Sequence, residues 1–442
     1  MTPEQKRDPN FMPPLTVAVP LGIQHVLAMF VSNVTPAIII AGVAGFGYGS
    51  SDTSHLIYML QMSMLFAGIA TLFQCIGAGP VGARLPIVQG TSFAFIPIMV
   101  PLVIGQGEDA LAAIMTGGIV GGLFHASLSL FMGKIKFAFP PLITGLVVAM
   151  IGLSLIKVGI QYAAGGIPAK GTEAFGAPIS WLLASTVIIV TLAFNFYARG
   201  WLSNAAILIG LLAGYGLAFA LGRVSFDPIE SAGWFTVPEP FYFGVSFSTA
   251  AILSFCLMSI VSTIETMGDV SAITQSGAGR EATEREISGS ITADGLGTAL
   301  ASLFGALPNS SFSQNVGLIA MTGIMSRYIV AIGAVFLVVC GLIPKIGALI
   351  VTIPIEVLGG GVIIMFGMVA SAAMSILSEV NWNQRNMLIF ALSLSLGLGL
   401  QLEPEALQHL PQTLQIFLSS GLLPATFLAV TLNLMLPHTK EN

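Results

Sequence analysis

The stretch Pro308-Asn309-Ser310-Ser311-Phe312-Ser313-Gln314-Asn315-Val316-Gly317 interrupts an otherwise apolar region of the chain with polar side chains. Hydrocarbon offers no partners to a bare backbone or an amide, so such a break persists in a membrane only where protein or a ligand cavity satisfies it. A second break, Pro86-Ile87-Val88-Gln89-Gly90-Thr91-Ser92-Phe93, lies in the first half of the chain. Two interrupted hydrophobic segments, one in each half, indicate the substrate site of a transporter.

The composition places the chain in a membrane. Of its 442 residues, 55% are hydrophobic and 8% are charged, whereas an average soluble domain has about 25% charged residues. The net charge of -5 is small and no basic run is present, so nucleic acid is not an expected partner. Cys75, Cys256 and Cys340 lie far apart in apolar surroundings. They predict neither a disulfide framework nor a metal cluster, and we expect no cofactor.

Apolar segments long enough to cross a bilayer as helices follow one another with short polar joints. We therefore predict an all-α polytopic membrane protein with fourteen spans. The predicted spans are 14–44, 55–78, 80–104, 110–132, 137–160, 179–198, 203–222, 248–275, 287–305, 307–326, 328–344, 346–376, 386–402 and 413–436. The third and the tenth span contain the two breaks.

Basic side chains indicate the orientation, because cytoplasmic joints hold an excess of Lys and Arg. Eleven basic residues fall on the side of the two termini: Lys6, Arg7, Arg84, Lys134, Lys136, Arg199, Arg280, Arg285, Arg327, Arg385 and Lys440. Four fall on the other side: Lys157, Lys170, Arg223 and Lys345. We expect the tails 1–13 and 437–442 in the cytoplasm, and the protein in the plasma membrane, which is the inner membrane in a bacterium.

The polar, aromatic segment 226–247 divides the chain into halves of seven spans, and in each half the third span is broken. Because seven is odd, the halves enter the membrane from opposite sides, as an inverted repeat requires. The tripeptides Thr91-Ser92-Phe93 and Ser310-Ser311-Phe312 are faintly alike. The matching position of the breaks favours one shared site near the middle of the membrane.

Five ionisable residues fall inside the predicted spans, where a charge costs about 2.5–3.5 kcal/mol to insert. They are His25, Glu265, Asp269, Asp294 and Glu356. Glu265 and Asp269 are four residues apart and share a helix face. Such carboxylates can carry a proton, accept a hydrogen bond from a substrate, or simply hold the broken segments in shape.

These alternatives weigh differently at each position. We expect Glu265 to contact the substrate, and leave both roles open for Asp269. Asp294 is either a proton site or a partner for the broken helix ends, and His25 is either a satisfied core histidine or a functional group. Glu356 is expected near a helix end without a functional role. The other histidines are expected in joints or at interfaces: His55, His125, His409 and His438.

Gln314 is the most specific polar group in the breaks. Its primary amide offers a donor and an acceptor side by side. That pair complements the lactam edge of an oxopurine or a pyrimidine, where a carbonyl and an N–H are adjacent. Phe93 or Phe95, from the other break, could stack on such a flat ring, although an aromatic residue in an apolar helix can equally be ordinary packing.

With these residues the chain resembles the nucleobase–ascorbate transporter family. The family signature is Gln-Asn-x-Gly followed by four residues and Thr, and it reads here Gln314-Asn315-Val316-Gly317-Leu318-Ile319-Ala320-Met321-Thr322-Gly323. Further motifs fit in the same order: Gln24-His25, Gln89-Gly90-Thr91-Ser92-Phe93, Glu265 to Asp269, and Ala293-Asp294-Gly295. The resemblance covers essentially the whole chain.

The resemblance implies two inverted seven-span repeats divided into a core and a gate domain. The core would comprise 14–132 and 248–344, and the gate 133–225 and 345–436, with 226–247 as the connection between the halves. Short strands in the third and tenth spans would pair across the core. The family commonly forms homodimers and couples uptake to protons or, in some animal members, to sodium.

The resemblance also assigns roles to residues. Glu265 and Gln314 would hydrogen-bond the base, and Phe93 would pack against its ring. Ser92 and Asn315 would shape the site. His25 and Asp294 would support the site or take part in coupling, and Asp269 would be a structural or coupling group.

The residue at the first signature position bears on the substrate. Gln314 with the ending Thr322-Gly323 resembles the xanthine/urate branch, whereas uracil-type members have Glu at the first position. Val316 departs from the Asn-Asn-Gly of many purine members. We expect proton symport of xanthine or urate by elevator-like or rocking alternating access. The alternatives are a uracil or other nucleobase symporter, a sulfate- or bicarbonate-type transporter, and an intramembrane enzyme, for which the sequence offers no nucleophile–base pair or metal cluster.

Overall fold

The computed structural model describes residues 2–47, 53–104, 106–107, 109–131 and 140–437. The joint between the predicted fourth and fifth spans therefore lies outside the described residues, together with Lys134 and Lys136. The same holds for His438, for Lys440 and for all but the first residue of the predicted tail 437–442.

The described residues form α-helices and two short strands, named here in chain order. The helices are α1 (Pro3–Arg7), α2 (Leu15–Ala44), α3 (Ser54–Ile76), α4 (Ile96–Val103), α5 (Asp109–Leu128), α6 (Pro141–Ala163), α7 (Gly166–Ala169), α8 (Pro178–Tyr197), α9 (Trp201–Asn204), α10 (Ala206–Ala220), α11 (Asp227–Ser231), α12 (Thr249–Ile273), α13 (Glu284–Leu303), α14 (Ser313–Thr322), α15 (Arg327–Gly341), α16 (Pro344–Val351), α17 (Ile355–Leu377), α18 (Gln384–Leu402), α19 (Gln412–Ser419) and α20 (Leu422–Met435). The strands are β1 (Gln89–Thr91) and β2 (Asn309–Ser311).

Within the described part of the chain, eight helices are long and apolar enough to cross a membrane, or ten segments if each of two bent helix pairs is one span. The eight are α2, α3, α5, α6, α8, α12, α17 and α18. The chain is therefore a multi-pass membrane protein, as its composition predicts. The shorter helices α4 and α14 follow the two strands, where the sequence predicts broken spans.

Two of the predicted spans are wrong as single helices. The predicted span 346–376 contains parts of α16 and α17, which are separated before Pro354. Proline lacks the N–H that a continuing helix needs, so the chain restarts there. The predicted span 413–436 contains α19 and α20, which meet at 81°. Gly421 between them has a φ of +68°, a left-handed conformation that glycine adopts at no steric cost.

The two strands pair antiparallel and are fully buried. Gln89 lies opposite Ser311, Gly90 opposite Ser310, and Thr91 opposite Asn309. Such a short ladder is not stable alone, so the helices around it must satisfy and hold it. The paired strands implied by the family resemblance are therefore present, and they bring the two broken segments together.

Glycines let the helices around the strands approach closely, which is how membrane helices associate. A Cβ atom at Gly122 of α5 would lie 2.7 Å from the carbonyl oxygen of Gly295 in α13. A Cβ atom at Gly333 of α15 would lie 2.5 Å from the carbonyl oxygen of Gly22 in α2. The helices α2, α3, α5, α12, α13 and α15 thus pack around the strands, while α6, α8, α10, α17, α18 and α20 pack mainly on one another.

His125 corrects an expectation from the sequence. It was expected in a joint or at an interface, but it lies within α5 and is fully buried. Gly121 and Gly122, on the same face one turn earlier, allow α12 and α13 to cover that face of α5. Glu356, in contrast, lies in the first turn of α17, where Arg223 forms an ion pair with it at 3.6 Å.

Candidate substrate site

Each strand is held by a threonine of the preceding long helix. The Oγ1 atom of Thr71 in α3 accepts from the N–H of Gln89 at 2.9 Å and donates to the carbonyl of the same residue at 3.4 Å. Thr298 of α13 makes the equivalent pair of bonds with Asn309, at 3.1 and 2.9 Å. A single hydroxyl thus satisfies the two backbone groups that the ladder leaves free on that residue.

The amide side chains of the strands cross from one half of the chain to the other. Gln89 donates through Nε2 to Asp294 Oδ1 in α13. Asn309 donates through Nδ2 to the carbonyl oxygen of Phe66 in α3 at 3.3 Å. Asn33 of α2 also fixes β1, since its Oδ1 accepts from the N–H of Thr91 at 2.9 Å.

Asp294 is fully buried and receives three hydrogen bonds. Its Oδ1 accepts from the side chains of Gln74, at 2.7 Å, and Gln89, and its Oδ2 accepts from Thr266 Oγ1. Hydrogen bonds to a carboxylate are among the stronger ones in proteins. The structure therefore places Asp294 as an anchor that joins α3, β1, α12 and α13.

Asp269 binds the beginning of the second half-helix. Its two carboxylate oxygens accept from Ser311 Oγ and Ser313 Oγ, each at 2.7 Å. Ser313 is the first residue of α14, where unpaired N–H groups favour a nearby negative charge. Both oxygens of Asp269 thus hold the second break in shape.

Glu265 differs from these two carboxylates. It lies one turn before Asp269 on the same face of α12, and Asp269 is the residue that binds the second break. Its Oε2 atom is buried and has no hydrogen-bond partner among the described residues. A buried carboxylate oxygen without a partner is costly, so this group is suited to a ligand donor or to a proton.

Gln314 and Asn315 follow on α14. The Nε2 atom of Gln314 lies 3.5 Å from Ser32 Oγ of α2, at the limit of a hydrogen bond. Asn315 donates through Nδ2 to Nδ1 of His25 at 2.9 Å, so the proton of a neutral ring lies on Nε2. The Oδ1 atom of Asn315 is buried without a partner within the described structure. His25 therefore fixes Asn315, and Gln314 is held only loosely.

The first break contributes apolar groups to the same region. The ring of Phe93 packs edge-on against Phe366 of α17, with 5.1 Å between the ring centroids. The Sδ atom of Met365, the neighbour of Phe366, lies 3.9 Å from Ser32 Oγ. Phe95 instead packs against Phe255 in the core. Phe93 thus contacts α17, which lies outside the helices that pack around the strands. The Oγ of Ser92 accepts from the N–H of Ala94 and caps the turn 93–95.

Several residues of this region were missed by sequence reasoning. Thr71, Thr266 and Thr298 gave no signal, because threonine in a helix usually bonds the carbonyl of its own preceding turn. Gln74 did give a signal, since a glutamine inside an apolar span needs a partner. Among the described residues, no group of three or more His, Cys, Asp or Glu side chains is placed to hold a metal ion.

Apolar helices packed around two broken segments with buried polar groups are typical of a polytopic membrane transporter. The chain belongs to the nucleobase–ascorbate transporter family, whose model, described as "Permease family", matches residues 17–406. The sequence is 37% identical over 419 residues to the uric acid transporter UacT of Escherichia coli (strain K12), covering 93% of this chain and 84% of that protein. It is 35% identical over 443 residues to the xanthine permease XanP of the same strain, covering 97% and 94%.

Solved structures show the same fold at low sequence identity. The transmembrane domain of the cyanobacterial bicarbonate transporter BicA superimposes with a TM-score of 0.60 at 14% identity, covering 95% of this chain and 98% of that domain. The overall structure of SLC26A9 gives a TM-score of 0.62 at 13% identity, covering 96% and 66%. At such identity the likeness concerns the fold alone.

Proposed function

We propose that this transporter takes up an oxopurine, xanthine or urate, together with protons. The relatives named for xanthine and uric acid support the substrate class. The observation that carries the proposal is the buried Oε2 atom of Glu265, which has no hydrogen-bond partner among the described residues. The amide of Gln314, on the helix whose first residue binds Asp269, is itself only loosely held. An oxopurine presents N–H donors and a lactam edge, which complement a carboxylate and a primary amide.

In this site Glu265 accepts from a ring N–H, and Gln314 pairs with an adjacent carbonyl and N–H of the base. Phe93 lies against the ring face from the first break. Asn315, Ser92 and His25 shape the site: His25 holds Asn315, whose buried Oδ1 remains available, and Ser92 fixes the turn that carries Phe93. The substrate thereby supplies partners for the buried Oε2 of Glu265 and Oδ1 of Asn315.

The hydrogen bonds of the three carboxylates support Glu265 as the proton carrier. Asp294 accepts from three side chains and Asp269 from two hydroxyls, which stabilises both as anions. Glu265 has a buried oxygen without such a donor in the described structure. A protonated Glu265 still accepts a ring N–H through its carbonyl oxygen, and a proton that binds together with the base removes the cost of a buried charge, so proton and substrate binding become linked there.

The contacts of the strands support two inverted repeats. Thr71 and Thr298 occupy equivalent positions, in the predicted second span of each half, and hold the first residue of each strand. The two packing groups of helices support a division into a core, 14–132 and 248–344, and a gate, 133–225 and 345–436. Alternating access then follows from movement of the core against the gate, at contacts such as Phe93 with Phe366.

Contacts on the side that carries most of the basic residues support the orientation with both termini in the cytoplasm. The N–H of Met325 donates to the carbonyl of Lys6 at 2.7 Å, and Arg385 Nη2 donates to the carbonyl of Asn433 at 2.5 Å. Both chain ends thus lie beside joints that carry arginine, as Arg327 and Arg385 do. For a bacterial cell, the inner membrane is part of the proposal.

A homodimer is also part of the proposal. Leu388, Leu392 and Leu396 form a row on α18 and are 51%, 50% and 48% exposed. Such a row suits either lipid or the same helix of a second copy. Cross-linking of a cysteine at Leu392 across two copies in the membrane would support the dimer, and monomers alone under all conditions would contradict it.

The first experiment is thermal-shift stabilisation of the purified protein by xanthine, urate, hypoxanthine, guanine, adenine, uracil, sulfate and bicarbonate. A ligand that binds only the folded state raises the unfolding temperature. We expect xanthine or urate to stabilise the protein and the other compounds to have little effect. Stabilisation by uracil alone would contradict the proposal that Gln314 selects an oxopurine. Stabilisation by sulfate or bicarbonate alone would favour an anion transporter.

The proton assignment is tested by Glu265→Gln, which resembles a permanently protonated Glu265. We expect the variant to exchange labelled for unlabelled xanthine but to lose proton-driven accumulation, which for one proton reaches about 50-fold per 100 mV. Glu356→Gln is the matched control, because Glu356 is also buried but pairs with Arg223. Full accumulation by Glu265→Gln would show that the proton is carried elsewhere.

A further inference from the structure

Gln74, in the last turn of α3, has no exposed surface. Its Nε2 donates to Asp294 Oδ1 at 2.7 Å, to Ser290 Oγ at 2.9 Å and to the Ser290 carbonyl at 3.0 Å. Its Oε1 accepts from the N–H of Ala83 at 3.2 Å. One amide thus joins α3, the turn that leads toward β1, and α13.

The position of Gln74 matters because of what else binds Asp294. The same carboxylate oxygen, Oδ1, also accepts from Gln89 of β1. The backbone carbonyl of Gln74 accepts from the N–H of Arg84, a residue with a φ of +60° in the turn before β1. Gln74 therefore fixes both the route of the chain into β1 and the carboxylate to which β1 is attached.

We propose that Gln74 is a positioning residue of the transport cycle. Its amide and the Asp294 carboxylate act as one donor–acceptor joint that keeps β1 fixed to α13 while the core moves against the gate. Gln74 does not contact Glu265, Gln314 or Phe93 through any hydrogen bond in the described structure. Loss of the joint should therefore impair turnover and leave substrate binding nearly intact. The inference rests on the proposed function only for its uptake readout.

The single variants are Gln74→Glu and Asp294→Asn, which keep the shapes of both side chains. Gln74→Glu places two carboxylates against each other, which repel. Asp294→Asn places two amides against each other, so that a donor lacks its acceptor. We expect each variant to lower the rate of xanthine uptake about 10-fold or more and to change xanthine affinity by less than about 3-fold.

The decisive variant is the double exchange Gln74→Glu/Asp294→Asn, which restores one amide and one carboxylate in the opposite order. The new amide at position 294 can donate to the carboxylate at position 74 and also to Gln89, whose Oε1 is buried without a partner in the described structure. Ser290 Oγ can turn to donate to the carboxylate at position 74, and Thr266 Oγ1 continues to donate to the side-chain oxygen at position 294. The Ser290 carbonyl loses its donor, so the recovery is incomplete. We expect uptake to recover to within about 3-fold of the wild type, since interacting residues are not additive.

The unfolding temperature provides a second readout that needs no substrate. Under the proposal both single variants unfold at a lower temperature, and the double exchange recovers most of the difference. Gln61→Leu is the matched control, because Gln61 is a buried amide on the same helix that donates to the carbonyl of Gly341 at 3.4 Å and to no carboxylate among the described residues. We expect Gln61→Leu to lower the unfolding temperature but, for the same decrease, to slow xanthine uptake less than Gln74→Glu or Asp294→Asn does.

Two results would overturn the proposal. One is a folded double exchange that transports no faster than Asp294→Asn, because the carboxylate is then required at position 294 itself. The other is Gln74→Leu with wild-type uptake and stability. Failure of the proposed function looks different: the wild type then neither binds nor takes up xanthine or urate, while the unfolding temperatures still report on the joint.

Discussion

In the first broken segment, the hydroxyl of Thr71 binds the N–H and the carbonyl of Gln89, and in the second, the hydroxyl of Thr298 does the same for Asn309. The two contacts bridge different distances along the chain, 18 and 11 residues. The connecting loops thus differ while the support of each strand is the same. A buried strand edge must have its backbone groups paired, and both halves meet this need with the same device.

The two segments differ in what their side chains reach. The amide of Gln89 binds the carboxylate of Asp294, whereas the amide of Asn309 binds the backbone carbonyl of Phe66. Ala67, four residues before Thr71, occupies the place that Asp294 occupies four residues before Thr298. The frame is therefore nearly symmetric, but the buried charge belongs to the second half alone.

The asymmetry extends to the site. The second half provides the carboxylates Glu265, Asp269 and Asp294 and the amide of Gln314, while the first half provides the ring of Phe93. A frame of two equivalent strands thus holds the carboxylates and the amide of the second half together with the ring of Phe93, while His25 and Ser92 of the first half have supporting roles. Such an arrangement suits a flat molecule with a polar edge.

The largest expected effect comes from Gln314→Glu, which removes the only amide donor proposed to meet the substrate. A second carboxylate would stand near Glu265, and the lactam carbonyl would lose its donor. We expect xanthine affinity to fall about 100-fold, since a site built for hydrogen bonds rejects a mismatched partner strongly. Isothermal titration measures it, and Gln401→Glu, on α18, serves as a remote control. An unchanged affinity would remove Gln314 from the substrate site.

A second pair of variants compares the two crossing amides. Gln89→Leu takes a donor from a buried carboxylate, whereas Asn309→Leu takes a donor from a backbone carbonyl. Hydrogen bonds to charged groups contribute about 1.5–3 kcal/mol and neutral ones about 0.5–1.5 kcal/mol. We expect Gln89→Leu to slow xanthine uptake about 10-fold and Asn309→Leu about 3-fold. Equal losses in uptake assays would mean that the charge of Asp294 is not what distinguishes the halves.

Much of the fold could be predicted from the sequence, because bilayer thickness and polar breaks leave strong patterns. The positions of both breaks, at Gln89 and at Asn309, are cases where the amide in an apolar stretch was itself the signal. The bends before Pro354 and at Gly421 are harder to predict from the sequence, since proline and glycine occur throughout membrane helices without ending them. The buried position of His125 depends on glycine contacts between helices distant in sequence.

The candidate site was predictable only in part. The spacing of Glu265 and Asp269 places them on one face, but their different partners depend on where Ser311 and Ser313 lie, which periodicity does not reveal. Asp294 was left open between a proton site and a partner for the broken ends, and its three donors come from three separate segments. Long-range pairing of this kind is decided by packing, so sequence reasoning reached the residues but not their partners.

The smallest expected difference, that between the stabilities of Thr71→Val and Thr298→Val, tests whether the frame itself is symmetric. Thr71→Val and Thr298→Val keep the shape of the side chain but remove the hydroxyl that serves two backbone groups of Gln89 or Asn309. Each buried group left unpaired costs about 1–3 kcal/mol, so both variants should unfold at lower temperature. If the two halves are equivalent supports, the two losses should agree within about 0.5 kcal/mol in denaturant unfolding of the purified protein. Thr186→Val is the control, because that exposed hydroxyl bonds only the carbonyl of Leu182 in its own helix. A much larger loss of stability for Thr298→Val would show that β2 depends more on its supporting helix than β1 does. The two sets of symmetric contacts would then contribute unequal free energies.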